Sequence, residues 1–289
     1  MATFTIRQEL LPEVLVRGQR LGRHVWHDSR SRQYPVAELP QPALRSVAWA
    51  RHIPILDQGD VGSCTGNAMC GALATDLVFG GLPASHPALD EHEALRIYSE
   101  AEVIDGNGPY PPNDDGSYGL SVARAARADG LIAGYQHAFS FAAFQTALQV
   151  GPVIVGAQWL TGMDNPDPDG LVKFSGSVRG GHEFECRELD MQAGLAWFDN
   201  SWGLGWGRAG RFGMAFAEAA KMLAADGDVT QPLPASGPPP QPQPWTHPDI
   251  QFGHDQRVID WAAGPYSTPE EGYAASQYDA WRHARGYDR

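Results

Sequence analysis

The feature that most limits what this chain can fold into is a change of hydrophobic period near its middle. Before residue 131 apolar residues recur at helical spacing; after it they come in short runs cut by Gly and Pro. In the first half Met69, Leu73 and Leu77 lie four apart with Ala68 and Ala72 beside them, which predicts a helix with one buried face from about Ser63 to Phe79, stopped by Gly80 and Gly81. "DEHEALRIYSEAEVID" predicts a second helix, with acids in its first turn that complement the helix dipole. "SYGLSVARAARADG" predicts a third, with Ser117 as N-cap and Gly130 as its stop. In the second half "GPVIVGAQW", "HEFECREL", "LAWFDNSW" and "RFGMAF" predict strands. This order predicts an α+β class, with helices and sheet in separate lobes.

A chain of 289 residues that is 43% hydrophobic can bury one sizeable body or two lobes sharing a cleft. Its one compositional break is "PLPASGPPPQPQPWTHP", Pro232 to Pro248, where dense proline removes backbone donors and favours an extended linker or surface strap. The expected organisation is an arm at 1–44, a body at 45–230 (helical to about 130, strand-rich after), a Pro-rich linker at 231–248 and a tail at 249–289. The arm carries Arg, Pro and His without periodicity and is expected to follow the surface with little regular structure. In the tail, Thr268, Pro269 and Glu271 form a capping-box pattern for a helix, and "HDQRVIDWAAGP" predicts a shorter one. With few aliphatics the tail cannot make its own core, so Tyr273, Tyr278 and Trp281 are expected to bury against the body or a partner protein.

Charge and cysteine count exclude several classes. A net charge of −13, with only 21 Lys and Arg spread along the chain, argues against nucleic acid as a partner. No run of about 18 apolar residues suggests a membrane span, and the N-terminus lacks the pattern of a signal peptide. The three cysteines, Cys64, Cys70 and Cys186, form no CxxC pair and no even framework, so free thiols, a cytoplasmic or other reducing compartment, and no metal or cofactor site are expected. Cys64 and Cys70, six apart on a helix, face different ways and are expected to remain unbridged.

Three separated segments carry candidate chemistry. In "DQGDVGSCTGNA", Cys64 opens a helix, where backbone N–H groups and the dipole favour a thiolate, lowering the pKa from about 8.5 and predicting a partly exposed sulfur. Gly62 and Ser63 before it let a substrate backbone approach. A free Cys at a helix end is more often packing than nucleophile, and alone this segment reads as packing. In "RGGHEFECRELD", His182 opens a strand after Gly181, at a lobe edge where it can meet a group from the other lobe, although a lone His is more often a hydrogen-bonded structural residue. In "AWFDNSWGLGWGRAGRFGM", Asn200 follows His182 by eighteen residues, within reach of one hairpin, so its amide oxygen can orient the imidazole while Trp202 covers the bond; the plain alternative is a structural Gly- and Trp-rich turn.

Taken together, the segments resemble the papain family of cysteine peptidases. "QGDVGSCT" matches the family's nucleophile signature at Gln58, Gly59, Gly62, Ser63 and Cys64; Gly181 and His182 match its Gly-His strand; "NSWGLGWG", Asn200 to Gly207, matches its Asn-Ser-Trp run without a mismatch. The resemblance covers about residues 45 to 220 and implies a two-lobe fold, with a helical lobe carrying the Cys and an antiparallel, barrel-like lobe carrying the His and Asn. It implies Cys64 as nucleophile, His182 as its acid and base, Asn200 as orienter, and Gln58 with the Cys64 N–H as the oxyanion hole. Gly62, Ser63, Gly181, Glu183 and Trp202 are the implied substrate-binding residues, and the partner is a peptide or protein substrate cleaved through a thioester.

The chain departs from the pattern at Val61, usually a disulfide cysteine, at Thr65, usually Trp, and at Glu183, usually a small apolar pocket residue. Glu183, with Glu185 and "GMDNPDPDG", predicts an acidic cleft that prefers Lys or Arg two positions before the cleaved bond. The arm is short for a standard prosegment. The alternative function is a papain-like binding or assembly module with weak or no peptidase activity; an amidase or transglutaminase on the same residues is a variant of the first reading.

Overall fold

The computed structural model describes residues 18–36, 38 and 44–235. The predicted helix at Cys64 forms as α1, Cys64–Leu73, but ends six residues earlier than expected. The Asp76 N–H, which would continue it, donates to the Ala50 carbonyl instead, and just past its end the Thr75 hydroxyl donates to Glu185 at 2.5 Å. Leu77, expected on the buried face, has a positive φ of 71° and is exposed. The second helix, α2, Glu91–Asp105, is capped by the Asp90 carboxylate, which accepts from the N–H groups of His92 and Glu93, and it stops at Gly106 in the left-handed region. The third, α3, Gly119–Ala128, starts at Tyr118 rather than at Ser117, whose hydroxyl donates instead to Asp105.

The second half is more mixed than its sequence suggests. Two further helices interrupt it, α4, Phe141–Leu148, capped by Ser140, and α5, Phe216–Ala224. The strands are β1 (Val47–Ala48), β2 (Ile132–Ala138), β3 (Val153–Leu160), β4 (Val178–Asp190), β5 (Leu195–Asp199), β6 (Arg211–Ala215) and β7 (Asp228–Pro234). They form one antiparallel sheet in the order β2-β7-β3-β4-β5-β6, with β1 on β4. β7 runs to Pro234, into the stretch read from sequence as linker. Its prolines are tolerated because β7 pairs with β3 only from Asp228 to Thr230, and from Gln231 to Pro234 it has β2 alone as neighbour. The capping-box tail at Thr268 to Glu271 lies outside the described residues.

Two cores result, one per lobe. The helical core packs Met69, Leu73, Ile97, Leu120 and Val122 against Ile132 and Ile154; the sheet core gathers Trp159, Phe184, Phe198, Trp202, Trp206 and Phe212. Strand alternation on β4 decides what faces each core. Phe184 and Cys186 join the sheet core, whereas Glu183 and Glu185 turn towards the helices, where Glu183 lies against Gly119 and Glu185 against Gly71. Both glutamates are fully buried. Glu185 accepts from Arg51 Nη1 at 2.6 Å as well as from Thr75, so it ties the lobes together beneath the cleft and does not line it. Among the described residues no helix is long and apolar enough to cross a membrane.

Because Glu185 is buried with its partners, removing the cation strands a charge. Arg51→Ala is expected to lower unfolding stability by about 3–5 kcal/mol in urea titrations, and a loss below about 1 kcal/mol would show that the pair does not hold the lobes together.

Candidate functional site

The sheet lobe presents His182 from β4 and Asn200 from the turn after β5. The His182 Nε2–H donates to Asn200 Oδ1 at 2.7 Å, and that oxygen also accepts from the Ser201 N–H at 2.8 Å. An atom that accepts from a backbone N–H must be the amide oxygen, so the amide orientation is fixed and the ring proton sits on Nε2. The other ring nitrogen, Nδ1, has no hydrogen-bond partner among the described residues. Trp202 lies over the ring at a centroid distance of 5.0 Å, and Trp159 meets it edge-on at 5.1 Å, excluding water from the His–Asn bond.

The helical lobe brings Cys64, at the first position of α1, to the same place. Backbone N–H groups of Glu183, the residue after His182, and of Gly22 reach its sulfur. Cys64 is completely buried, which corrects the expectation of a partly exposed thiol. Burial pushes the thiol up to about 12, outweighing the helix N-terminus, and burial holds His182 down to about 4 against the favourable Asn200 bond. The resting pair is therefore neutral thiol and neutral imidazole. Cys70 and Cys186 are also buried and free, so no bridge joins Cys64 to Cys70.

The cover is the arm. A surface course was expected for it, yet Leu21 to Val25 are buried. The Arg20 N–H donates to the Gly59 carbonyl, the Arg23 N–H to Gly181, the His24 N–H to Ser117, and the Ser117 N–H to Gly22. The arm thus runs between the lobes and bonds to both, because an unpaired backbone group buried there would be costly. Gly22 is required by contact alone: a Cβ there would stand 1.7 Å from the Gly62 carbonyl oxygen.

Gln58 is held in place at both ends of its amide. Its Oε1 accepts from the Ser201 hydroxyl at 2.6 Å, and its Nε2 donates to the carbonyls of Val61 at 2.8 Å and Arg20 at 2.9 Å. An arm carbonyl thus occupies the donor assigned to the oxyanion. The Gly62 N–H donates to Asp114, which also accepts from Arg20 and from the Tyr98 hydroxyl. Gly62, Gly181 and Glu183 therefore touch or face the arm. Ser63 and Trp202 do not take part: the Ser63 hydroxyl turns inward to Asn67, and Trp202 packs on His182.

The acidic loop read as part of the cleft is used locally, with Asp164 accepting from the Trp159 indole and pairing with Arg179. Asp114, Ser201 and Asp228 were not singled out from sequence, nor was the arm at Gly22 and Arg23. No local pattern marks these contacts, since Arg23 and Asp228 are 205 residues apart. Among the described residues no three His, Cys, Asp or Glu side chains meet as a metal site.

No protein-family model and no curated protein sequence matches the chain. Solved structures do. Xylellain, a cysteine protease from Xylella fastidiosa, aligns with a TM-score of 0.58 at 17% identity over 76% of this chain and 98% of its own. The fold is that of the papain-like cysteine proteases. Digestive procathepsin L 3 of Tenebrio molitor larval midgut aligns at 0.51 and 16% identity over 75% of this chain and 76% of its own. ProCathepsin B S9 from Trypanosoma congolense aligns at 0.50 and 10% identity over 73% and 86%. At such identities the likeness extends to the papain-like fold, with its helical and antiparallel lobes, as the sequence resemblance implied.

With the arm seated, Cys64 is expected to react with iodoacetamide at pH 7 more slowly than a solvent-exposed model thiol. Gly22→Ala, which cannot seat against Gly62, should speed labelling roughly tenfold or more by rehydrating the sulfur. Fast labelling of the unaltered chain, or no change on Gly22→Ala, would mean the arm does not control access.

Proposed function

We propose that this protein is a thiol peptidase that cleaves peptide bonds with Cys64, His182, Asn200 and Gln58 through a thioester intermediate, once the arm has left the cleft. The observation that carries the reading is the buried 2.7 Å bond from His182 to Asn200, which leaves the other ring nitrogen without a partner among the described residues, one residue before Glu183, whose N–H reaches the Cys64 sulfur. His182 takes the Cys64 proton, and the sulfur attacks the substrate carbonyl carbon. The carbonyl electron pair moves to oxygen, held by the Gln58 amide and the Cys64 N–H. Collapse expels the amine, which takes its proton from His182; a water then hydrolyses the thioester with His182 as base, freeing the acid and the thiol. That Gln58 already holds a peptide carbonyl, from Arg20, supports its role as the oxyanion donor. The structural neighbours are named as cysteine proteases and procathepsins, which supports peptides or proteins as substrates.

A second reading, a binding or assembly module with little or no cleavage, is favoured by one observation, the filled cleft with its neutral thiol. Gly181 fits either reading, as backbone that accepts from an extended segment at the Arg23 N–H, and Gly62 as a glycine against which that segment packs.

The test uses the full chain carrying Gly22→Ala on a mixed peptide library. Cys64→Ser should abolish cleavage while near-ultraviolet circular dichroism is unchanged, Gln58→Ala should lower kcat about a hundredfold to a thousandfold, and Asn200→Ala should retain partial activity. Cleavage that survives Cys64→Ser rules the mechanism out. Rapid labelling of Cys64 with no peptide cut would favour an amidase or transferase acting on other acyl groups, and labelling no faster than a model thiol with no peptide cut would favour the module.

A further inference from the structure

Behind the turn that carries Cys64, three side chains make more contacts than their ordinary charge states have protons for. The Tyr98 hydroxyl of α2 lies 2.7 Å from Glu102 Oε1, one turn further along the helix, and 2.6 Å from Asp114 Oδ1. Oxygens that close need a proton between them, so the two contacts need two protons. Tyr98 supplies one. The Gly116 N–H donates to the same phenol oxygen at 3.0 Å and fills neither contact. At least one of the two carboxyls is therefore protonated in the folded chain. Glu102 and Tyr98 are both fully buried.

The surroundings put that proton on Glu102. Asp114 has the donors a carboxylate needs: Arg20 Nη1 pairs with its Oδ2 at 2.6 Å, and the Gly62 N–H reaches both its oxygens, at 3.0 and 3.2 Å. Glu102 Oε1 has one backbone donor, the Asp115 N–H at 2.6 Å, and Oε2 has no hydrogen-bond partner among the described residues. An unpartnered buried oxygen costs far less as the carbonyl of a neutral acid than as half of a carboxylate. Burial, with the charge of Asp114 nearby, raises the Glu102 pKa to about 9 against the bonds from Tyr98 and Asp115. The other titratable groups facing the cluster are Tyr110, Asp60, Asp115 and the cation Arg20. The contact with the turn has no slack, since a Cβ on Gly62 would stand 2.6 Å from Asp114 Oδ1.

We propose that Glu102 is a neutral carboxylic acid in the folded protein at pH 7, and that it is a positioning residue, acting through Tyr98 and Asp114 on the turn between Gln58 and Cys64. The relay runs from the Glu102 O–H to the Tyr98 oxygen and from the Tyr98 O–H to Asp114, which the Gly62 N–H meets from the other side. Were Glu102 to lose its proton, Tyr98 would donate to one carboxylate and turn a bare oxygen towards the other. Repulsion would then part the three groups, and Asp114, the member bonded to the turn, would carry Gly62 with it. The use of this turn in cleavage rests on the peptidase reading. The proton and its hold on Gly62 do not.

The test counts the proton and reads the turn, in the full chain. Folded Glu102 keeps a proton that the unfolded chain releases near pH 4.5, so raising the pH above that value costs stability until Glu102 ionises in the fold near pH 9. Between about pH 5 and about pH 8 the unfolding constant of the unaltered chain in urea should rise, relative to Glu102→Gln, by up to about tenfold per pH unit. At pH 7 the infrared spectrum should contain a protonated-carboxyl C=O band that Glu102→Gln removes. Equal pH slopes overturn the proposal, as does a spectrum that Glu102→Gln leaves unchanged or a band that only Asp114→Asn removes. For the turn, Tyr98→Phe should speed exchange of the Gly62 amide about tenfold or more, and unchanged protection overturns the positioning role. If Tyr98→Phe does not fold, pH takes its place: Gly62 protection should fall above about pH 9 in the unaltered chain and hold level in Glu102→Gln, and a parallel course in both overturns it. In chains also carrying Gly22→Ala, Tyr98→Phe should lower kcat for a peptide about tenfold or more with KM little changed. Lost Gly62 protection in a chain that cuts no peptide upholds the relay and sinks the peptidase reading; cleavage whose kcat ignores Tyr98→Phe does the reverse.

Discussion

Two carboxylates on one face of β4, Glu183 and Glu185, are buried between the lobes, and much of the structure answers to them. Neither can stay charged in a dry interior without a cation, and each draws one from far upstream, Arg23 for Glu183 and Arg51 for Glu185. Arg51, reinforced by Thr75, joins the segment before α1 and the end of α1 to the sheet. Arg23 draws the arm into the cleft. Opposite them on the same strand, the aromatic core receives Phe184 and holds the His182 ring between Trp159 and Trp202. A single strand thus sets the lobe contact, the cover and the orientation of the His182 ring.

The closed cleft explains why the electrostatics differ from those of an open thiol site. A helix N-terminus favours a thiolate by only about a kcal/mol or so. Complete burial works against the charged form more strongly, and the balance leaves sulfur and imidazole neutral. The same arm that excludes water also places an N–H at the sulfur and a carbonyl on Gln58, so it engages two of the candidate site residues. Protection of the thiol and the raised pKa of its sulfur have one cause, burial beneath the arm at Gly22.

The site residues that a local pattern identifies are those whose partners are close in sequence or whose spacing is set by an element. Cys64 at a helix start and the His182 and Asn200 pair across one hairpin are of this kind. Residues that act across the lobes carry no such mark. Asp114 anchors the loop before Cys64 from a position fifty-two residues away, and Asp228 meets Arg23 from the far end of the body. The Glu185 side chain, read as cleft-lining because it lies near His182 in the chain, points beneath the cleft, since the pleat and the contact with Gly71 direct it to Arg51.

By itself the sequence determined the α+β class, the first three helices, four of the strands, and the grouping of Gln58, Cys64, His182 and Asn200 as one candidate site. Periodicity encodes the elements because they depend on neighbours within a few turns or one hairpin, whereas the grouping of the four residues rests on the resemblance of their motifs to the papain family. Only the tertiary structure decided the early end of α1, the insertion of α4 and α5 among the strands, the place of β7 between β2 and β3, and the path of the arm. Those outcomes depend on which buried polar groups find partners across the lobes. A donor or acceptor left dry costs more than the local propensity that opposes its pairing, so the Asp76 N–H bonds to Ala50 where the helix was expected to continue, and Arg23 stays inside the cleft.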